Sequence, residues 1–363
     1  MHNAAAKARW SMRNFILLLC IVALLEFSTS CHRGHEEARQ SRGKGPVKIG
    51  LSLDSLQLER WQHDRDAFVA KASQLGAEVF IQSANGVDAV QIRQCENLLT
   101  MGVDVLVIVP HNGEVMASAV RSAEAQGVPV ISYDRLIRDS NVSLYVSFDN
   151  KLIGELQAKY LYARAPAGNY ILIGGSPTDN NAHLIREGQM QVLSPAIKRG
   201  DIRIIADQWA KDWLPSEALR HTENALTQAN NHVAAVVTSN DSTAGGAIQA
   251  LGEQGLAGRV LVSGQDTDLA AAQRVVEGTQ SMTVYKPIKP LAENAAAAAV
   301  ALARGEKVQS NSNVNNGAKE VPSILLAPIV VDRTNIDSTV IKDGFLKRED
   351  IYKNVSRTQW PKD

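Results

Sequence analysis

The chain has 363 residues, 45% hydrophobic and 21% charged, the balance of an ordinary globular protein with room for about two domains. Lys plus Arg and Asp plus Glu are 38 each, and a zero formal net charge offers no electrostatic case for nucleic acid. Cys20, Cys31 and Cys95 form neither a CxxC pair nor a disulfide framework.

Residues 1–31 read as an export signal. Lys7, Arg9 and Arg13 give a positive start, and residues 15–25 form an apolar run too short to span a bilayer as a mature helix. Small Ser28, Thr29 and Ser30 precede Cys31. The segment resembles a bacterial lipoprotein signal, which implies lipidation of Cys31, although Ser28 stands where leucine is usual and Glu26 ends the apolar run abruptly. The alternative is cleavage near Ser30, with Cys31 an incidental thiol. Residues 32–46 are polar, without apolar periodicity, and read as a flexible tether.

Strands and helices alternate from Val47. Residues 47–53 read as a strand and 58–75 as an amphipathic helix, with Trp61, Phe68, Val69, Ala72 and Leu75 apolar and Gly76 its stop. A strand at 78–84 precedes a helix at 87–101, where Ile92, Cys95 and Leu99 share a face and make Cys95 a core residue. Strand 103–109, helix 113–126 and strand 128–133 form a βαβ unit. Asp134 and Arg135 follow its last strand, and parallel sheets take ligands outside such carboxyl ends. A short strand at 144–150 closes this half.

The pattern then restarts. A helix at 151–163, a strand at 169–175 and a long helix to about 199 lead to strand 201–209 and helix 215–228. Strand 232–241, helix 242–253, strand 259–266, helix 268–276, strand 281–286 and an Ala-rich helix at 287–304 complete it. Two doubly wound α/β lobes in tandem are therefore expected. Residues 307–331 are too short for a core and read as a loop and an extended strand leading back across the molecule. Residues 334–363 are expected to close on a lobe surface, with the last dozen disordered.

The set VKIG, LERWQHDRD, DVLVIVPHNG, YDRLI, SFDN, GGSPTDNNA, DWLP, TSNDSTAGGAIQAL, GQDTDLAA and TVYKPI resembles the type I periplasmic sugar-binding proteins over about 47–345, and above all their D-xylose-binding members that serve bacterial ABC transporters. The resemblance implies two Rossmann-like lobes joined by a three-segment hinge, crossing near 148–151, 285–288 and 322–328. It divides the chain into an N-terminal lobe of 47–149 plus 288–324, a C-terminal lobe of 150–287 plus 325–345, and a tail from 346 to 363. Sugar would lie in the cleft, with the hinge closing on it.

Candidate site residues follow, each with a plainer alternative. Arg60 and Trp61 open the first helix: Trp61 can cover the apolar face of a pyranose or join the Phe68–Leu75 stripe, and spacing does not separate the two. Asp134 and Arg135 can bind hydroxyls or pair with each other. Trp213, in the loop before a helix, is the better candidate for an opposing wall, whereas Trp209 reads as core. Asn180 and Asn181 can cap the next helix; the resemblance implies a ligand contact at Asn181. It implies another at Asn240, with Asp241 read as the helix cap. Asp266 and Lys286 read from the residues alone as solvated loop charge, and the resemblance implies that both hold sugar, Lys286 from the second crossing.

No GxGxxG follows a strand, and no phosphate loop, nucleophile elbow or paired-His metal motif occurs, so a binding protein without cofactor or metal is expected rather than an enzyme. The expected partners are D-xylose or a related monosaccharide, an ABC transporter permease, and as an alternative a chemoreceptor or sensor kinase. A monomer, periplasmic or at the cell surface and tethered through Cys31, completes the expectation.

Overall fold

A computed structural model describes residues 45–361. The export signal, Cys31 and the tether up to Lys44 lie outside the described residues.

The first half builds strands β1 (Val47–Leu53), β2 (Ala77–Ser83), β3 (Val105–Ile108), β4 (Val130–Tyr133) and β5 (Leu144–Phe148), alternating with helices α1 (Glu59–Gln74), α2 (Asp88–Thr100) and α3 (Ala117–Ala125). All of β3 and β4 is buried, as continuous apolar runs require of strands covered on both faces. The second half builds α4 (Asn150–Arg164), β6 (Gly168–Gly174), α5 (Asn180–Arg199), β7 (Ile202–Trp209), α6 (Pro215–Gln228), β8 (Ala235–Thr238), α7 (Asp241–Glu253), β9 (Leu261–Val262), α8 (Leu269–Glu277) and β10 (Thr283–Tyr285). Helix α9 (Ile288–Ala303) and strands β11 (Ser312–Asn315), β12 (Glu320–Leu326) and β13 (Ile329–Val331) follow.

A seven-stranded sheet runs β11-β12-β5-β4-β3-β1-β2, parallel except for the β11–β12 pair. A four-stranded parallel sheet runs β7-β6-β8-β9, and β10 pairs antiparallel with β13. The chain passes between the two lobes after β5, after β10 and after β12. Helix α9 returns to the first lobe, where Leu291, Ala292, Ala295, Ala296 and Ala299 bury against β1, β3 and β5; small side chains let it lie close to the sheet.

Helices α4 and α5 approach more closely than side chains allow. A Cβ on Gly154 would stand 1.9 Å from the Ile185 carbonyl oxygen, and one on Gly188 2.0 Å from that of Lys151. Cys95 is fully buried in α2, and burial pushes its thiol up to about 11.

The structure departs from the sequence reading in several places, among them a helix expected from 113 that begins at Ala117 and a strand expected at 232–241 that spans Ala235–Thr238. The strand expected at 259–266 pairs only over Leu261–Val262, because the chain then turns into positive-φ backbone at Asp266 and Thr267. The stretch 307–331 contains a hairpin, β11–β12, turning at Gly317 with φ +101°, where one crossing strand was expected. The tail is ordered to residue 361: Ile351 and Tyr352 are buried against Ala272, Val276 and Tyr285, and the Trp360 ring lies 5.1 Å from that of Tyr352.

Candidate functional site

The carboxyl ends of the strands in both lobes converge on one pocket of about 280 Å³, counting the space open to solvent, lined by Arg60, Trp61, Asp134, Arg135, Asn181, Trp213, Asn240, Asp266 and Lys286, the nine side chains named from the sequence. Leu58, Asp179 and Gln265 complete it.

Local conformation aims these side chains. Asp134 follows β4 at φ +58° and Asp266 follows the β9 segment at φ +96°, so both carboxylates sit on tight turns rather than extended chain. Asp212 and Trp213 take φ +52° and +59° in succession in the turn before α6. The paired Gly174 and Gly175 make room for indoles: a Cβ on Gly174 would meet the Trp209 ring at 2.5 Å, and one on Gly175 the Trp213 ring at 2.1 Å.

The charges form a linked set. Arg60 donates from Nη1 to Asp266 Oδ1 at 3.0 Å, from Nη2 to Asp134 Oδ2 at 2.9 Å, and from Nε to Asp64 Oδ2 at 3.3 Å. Lys286 stands between the lobes, its Nζ 3.0 Å from Asp266 Oδ1 and 3.6 Å from Asp134 Oδ2. Asp134 and Arg135 do not pair with each other. Arg135 instead meets Asp54 Oδ2 at 2.7 Å and Asp179 Oδ2 at 2.8 Å.

Burial tends to raise the carboxyls of Asp134 and Asp266, but neighbouring cations outweigh it and hold both below the usual range: Arg60 first for Asp134, Lys286 first for Asp266. For Asp64 burial wins, despite Arg60 and a hydrogen bond from the Tyr133 hydroxyl, and its carboxyl rises to about 6. Burial likewise raises Asp179 against the pull of Arg135. Reading Asp266 and Lys286 as solvated loop charge is overturned: both are buried.

The aromatic walls differ. Trp61 is 2% exposed, joins the first-lobe core and carries the Arg60 guanidinium 4.3 Å from its ring centroid, so it is both core and pocket wall. Trp213, from the second lobe, is 5% exposed and anchored by Nε1 donating to Asp179 Oδ2 at 3.1 Å. Trp209 is not among the lining residues and packs beside His183, with ring centroids 4.8 Å apart.

The caps also differ from expectation. Asp179 caps α5, and Asn181 instead donates from Nδ2 to the Asp134 carbonyl at 3.0 Å. Asn240 caps α7 through a capping box with Thr243, which occupies its Oδ1. Asp241, expected as that cap, lies one residue inside the helix and gathers Thr267 N, Gln280 and Thr283 to shape the Asp266 loop.

Two residues that line the pocket each carry a buried polar atom with no protein partner: the Trp61 Nε1 donor and the Gln265 Oε1 acceptor. Nearly all buried polar groups are hydrogen-bonded in folded proteins, so a donor and an acceptor left open on residues of one pocket are what a group able both to donate and to accept would satisfy. A hydroxyl does both.

A model of the periplasmic binding protein domain matches residues 49–307. The chain belongs to the periplasmic binding protein family. It is 55% identical to the D-xylose-binding periplasmic protein of Haemophilus influenzae, over 93% of this chain and 98% of that one. To the D-xylose-binding periplasmic protein of Escherichia coli it is 52% identical, over 94% and 99%. Among solved structures, a carbohydrate transporter solute binding protein from Chloroflexus aurantiacus in complex with D-glucose superposes with a TM-score of 0.79 at 32% identity, covering 85% of this chain and 98% of that one.

Periplasmic binding proteins of this kind are extracytoplasmic, and among the described residues no helix is long and apolar enough to cross a membrane. In this periplasmic binding protein the lobes also touch outside the pocket. Gly113 N donates to the Thr178 carbonyl at 3.2 Å, Arg138 Nη1 to Asn180 Oδ1 at 2.9 Å, and His111 Nε2 lies 3.2 Å from Asp212 Oδ1. Sequence reasoning missed Gln265, Asp179, Asp54 and Asp64. Asp64 had a readable signal, since it stands four residues after Arg60 on one helix, and Asp179 had the cap position before α5. Gln265 carried none beyond its place beside Asp266.

Proposed function

We propose that this chain is an extracytoplasmic receptor that captures a pentose in its pyranose form, D-xylose first, between its lobes and delivers it to the permease of an ABC transporter. The observation that carries the reading is the pair of unpartnered atoms on two pocket-lining residues, Trp61 Nε1 and Gln265 Oε1, beside a charged rim that balances itself. Such a rim suits a neutral polyol, whose hydroxyls exchange hydrogen bonds with Arg60, Asp134, Arg135, Asn181, Asn240, Asp266 and Lys286 without importing charge. Trp61 and Trp213 would cover its C–H faces. The identity to two D-xylose-binding proteins favours the pentose, while the D-glucose complex at 32% identity makes glucose the competitor to test. The chain acts as a binding module and performs no chemistry on the sugar.

Titration calorimetry with D-xylose, D-ribose and D-glucose tests this. Xylose should bind at least about tenfold more tightly than glucose, because the added hydroxymethyl has to enter a pocket already closed by paired charges. Equal affinity for glucose, or no heat with any of the three sugars, would overturn the pentose reading.

We further propose that lipidated Cys31 tethers the receptor at a membrane surface, on the strength of the basic start, short apolar run and small residues before it. Cys31→Ser should then move the protein from the membrane fraction to the soluble fraction. A wild-type protein already soluble after cell fractionation rejects the tether.

A further inference from the structure

His111 lies between the lobes, outside the pocket, with an acid on each ring nitrogen. Nδ1 is 2.6 Å from Asp88 Oδ1, at the start of α2 in the same lobe, and Nε2 is 3.2 Å from Asp212 Oδ1 in the other lobe. We propose that His111 is a positioning residue for sugar binding: its imidazolium bridges Asp88 and Asp212 across the closed cleft, holds Trp213 in place through Asp212, and makes binding of the sugar take up a proton. This rests on the sugar-binding reading above.

The geometry needs the proton. A neutral imidazole has one N–H, which can serve Asp88 or Asp212 but not both, and the other nitrogen then turns a lone pair on a carboxylate. The imidazolium donates to both. His111 is fixed in position by its own backbone, whose N–H donates to Gln91 Oε1 at 2.9 Å and whose carbonyl accepts from Thr178 Oγ1 at 3.4 Å. Asp212 is fixed as well, since its N–H donates to Ser176 Oγ at 3.3 Å. It directly precedes Trp213, and both residues hold positive φ, a backbone state that other contacts must sustain.

The charged groups facing His111 are Asp88 from α2, Asp212 from the turn before α6, and Asp54 from the loop after β1, whose carboxylate is itself held by Arg135. Burial works to lower His111, but the hydrogen bond to Asp88, the charge of Asp54 and the hydrogen bond to Asp212 outweigh it and set the ring above the usual imidazole range. Opening the lobes withdraws Asp212 and the Thr178 hydroxyl and returns water to the ring; hydration eases charging in the open form, but in the proposed device loss of the Asp212 carboxylate is the larger change. The closed form therefore holds the proton more tightly than the open form. The bridge is complete below the open-form pKa and is lost as pH rises through the closed-form pKa.

Xylose titrations at about pH 7, in buffers of different ionisation enthalpy, read the proton directly. Wild type should take up a fraction of a proton per sugar and bind roughly two- to fivefold more weakly at about pH 8.5 than at about pH 6. His111→Gln should abolish both the uptake and the pH slope. Asp212→Asn, which keeps the turn and a hydrogen-bonding side chain, should reduce both. Uptake that persists in His111→Gln, or wild type that binds xylose with no uptake, overturns the proposal. Failure of wild type to bind xylose at either pH overturns the sugar reading instead, and the proposal falls with it.

Discussion

At the scale of single residues, the pocket depends on charges that hold one another in place. Arg60 reaches Asp64, Asp134 and Asp266, and Lys286 joins the last two, so removing any member weakens the hold on at least one buried partner. Asp266→Asn preserves the side-chain shape and the tolerance of positive φ, and removes the charge that balances Arg60 and Lys286. Xylose affinity should fall by about one to two orders of magnitude, since a hydrogen bond to a charged group contributes roughly 1.5–3 kcal/mol. Trp213→Ala, which removes a wall together with the Nε1–H donated to buried Asp179, should cost a comparable factor. Calorimetry beside a thermal melt separates the site from the fold; if neither variant weakens xylose binding while both melt normally, the assignment of these residues to the ligand is wrong. The sequence made Asp134 and Arg135 legible as strand-end residues, but not whom they pair with. That partnership is set by long-range neighbours, Asp54 and Asp179 for Arg135 and Arg60 for Asp134, which adjacency in the chain does not encode.

At the scale of elements, periodicity located most helices to within a residue or two, whereas the one expected from 113 begins only at Ala117. Helix α6 spans Pro215–Gln228 as read, because a proline at its first turn and a clear apolar stripe fix both ends. The hairpin β11–β12 escaped because its first strand, Ser312–Asn315, is a polar edge strand whose inward face carries a single apolar residue, Val314, too little to show as a pattern. The tail escaped for a related reason: its apolar residues are scattered, and only folding brings Val340, Ile351 and Tyr352 together over α8 and β10. The α4–α5 contact was legible only as two glycines in helices. Gly188→Ala would force its Cβ into the Lys151 carbonyl, and chemical denaturation should show a loss of about 1–3 kcal/mol, as overpacking typically costs. An unchanged midpoint would mean that the helices part at no cost and that the glycines are incidental.

At the scale of the whole molecule, the proposed site draws Arg60, Trp61, Asp134 and Arg135 from one lobe and Asn181, Trp213, Asn240 and Asp266 from the other, with Lys286 at a crossing. A ligand touching both groups favours the closed arrangement by its differential contacts, so saturating xylose should reduce the radius of gyration measured by small-angle scattering. Unchanged scattering with bound xylose would show that the lobes do not move on binding. The order of strands in the first sheet has a consequence for biosynthesis. Strand β5 receives its outer neighbour β12 from more than a hundred residues further along the chain, Tyr145 opposite Ser323, and most of the second lobe is made in between. A growing chain therefore carries an open parallel edge until its last stretch leaves the ribosome, and pairing at so long a separation is slow. The first sheet therefore cannot be completed by a chain cut short before residue 320, however well its opening strands are formed.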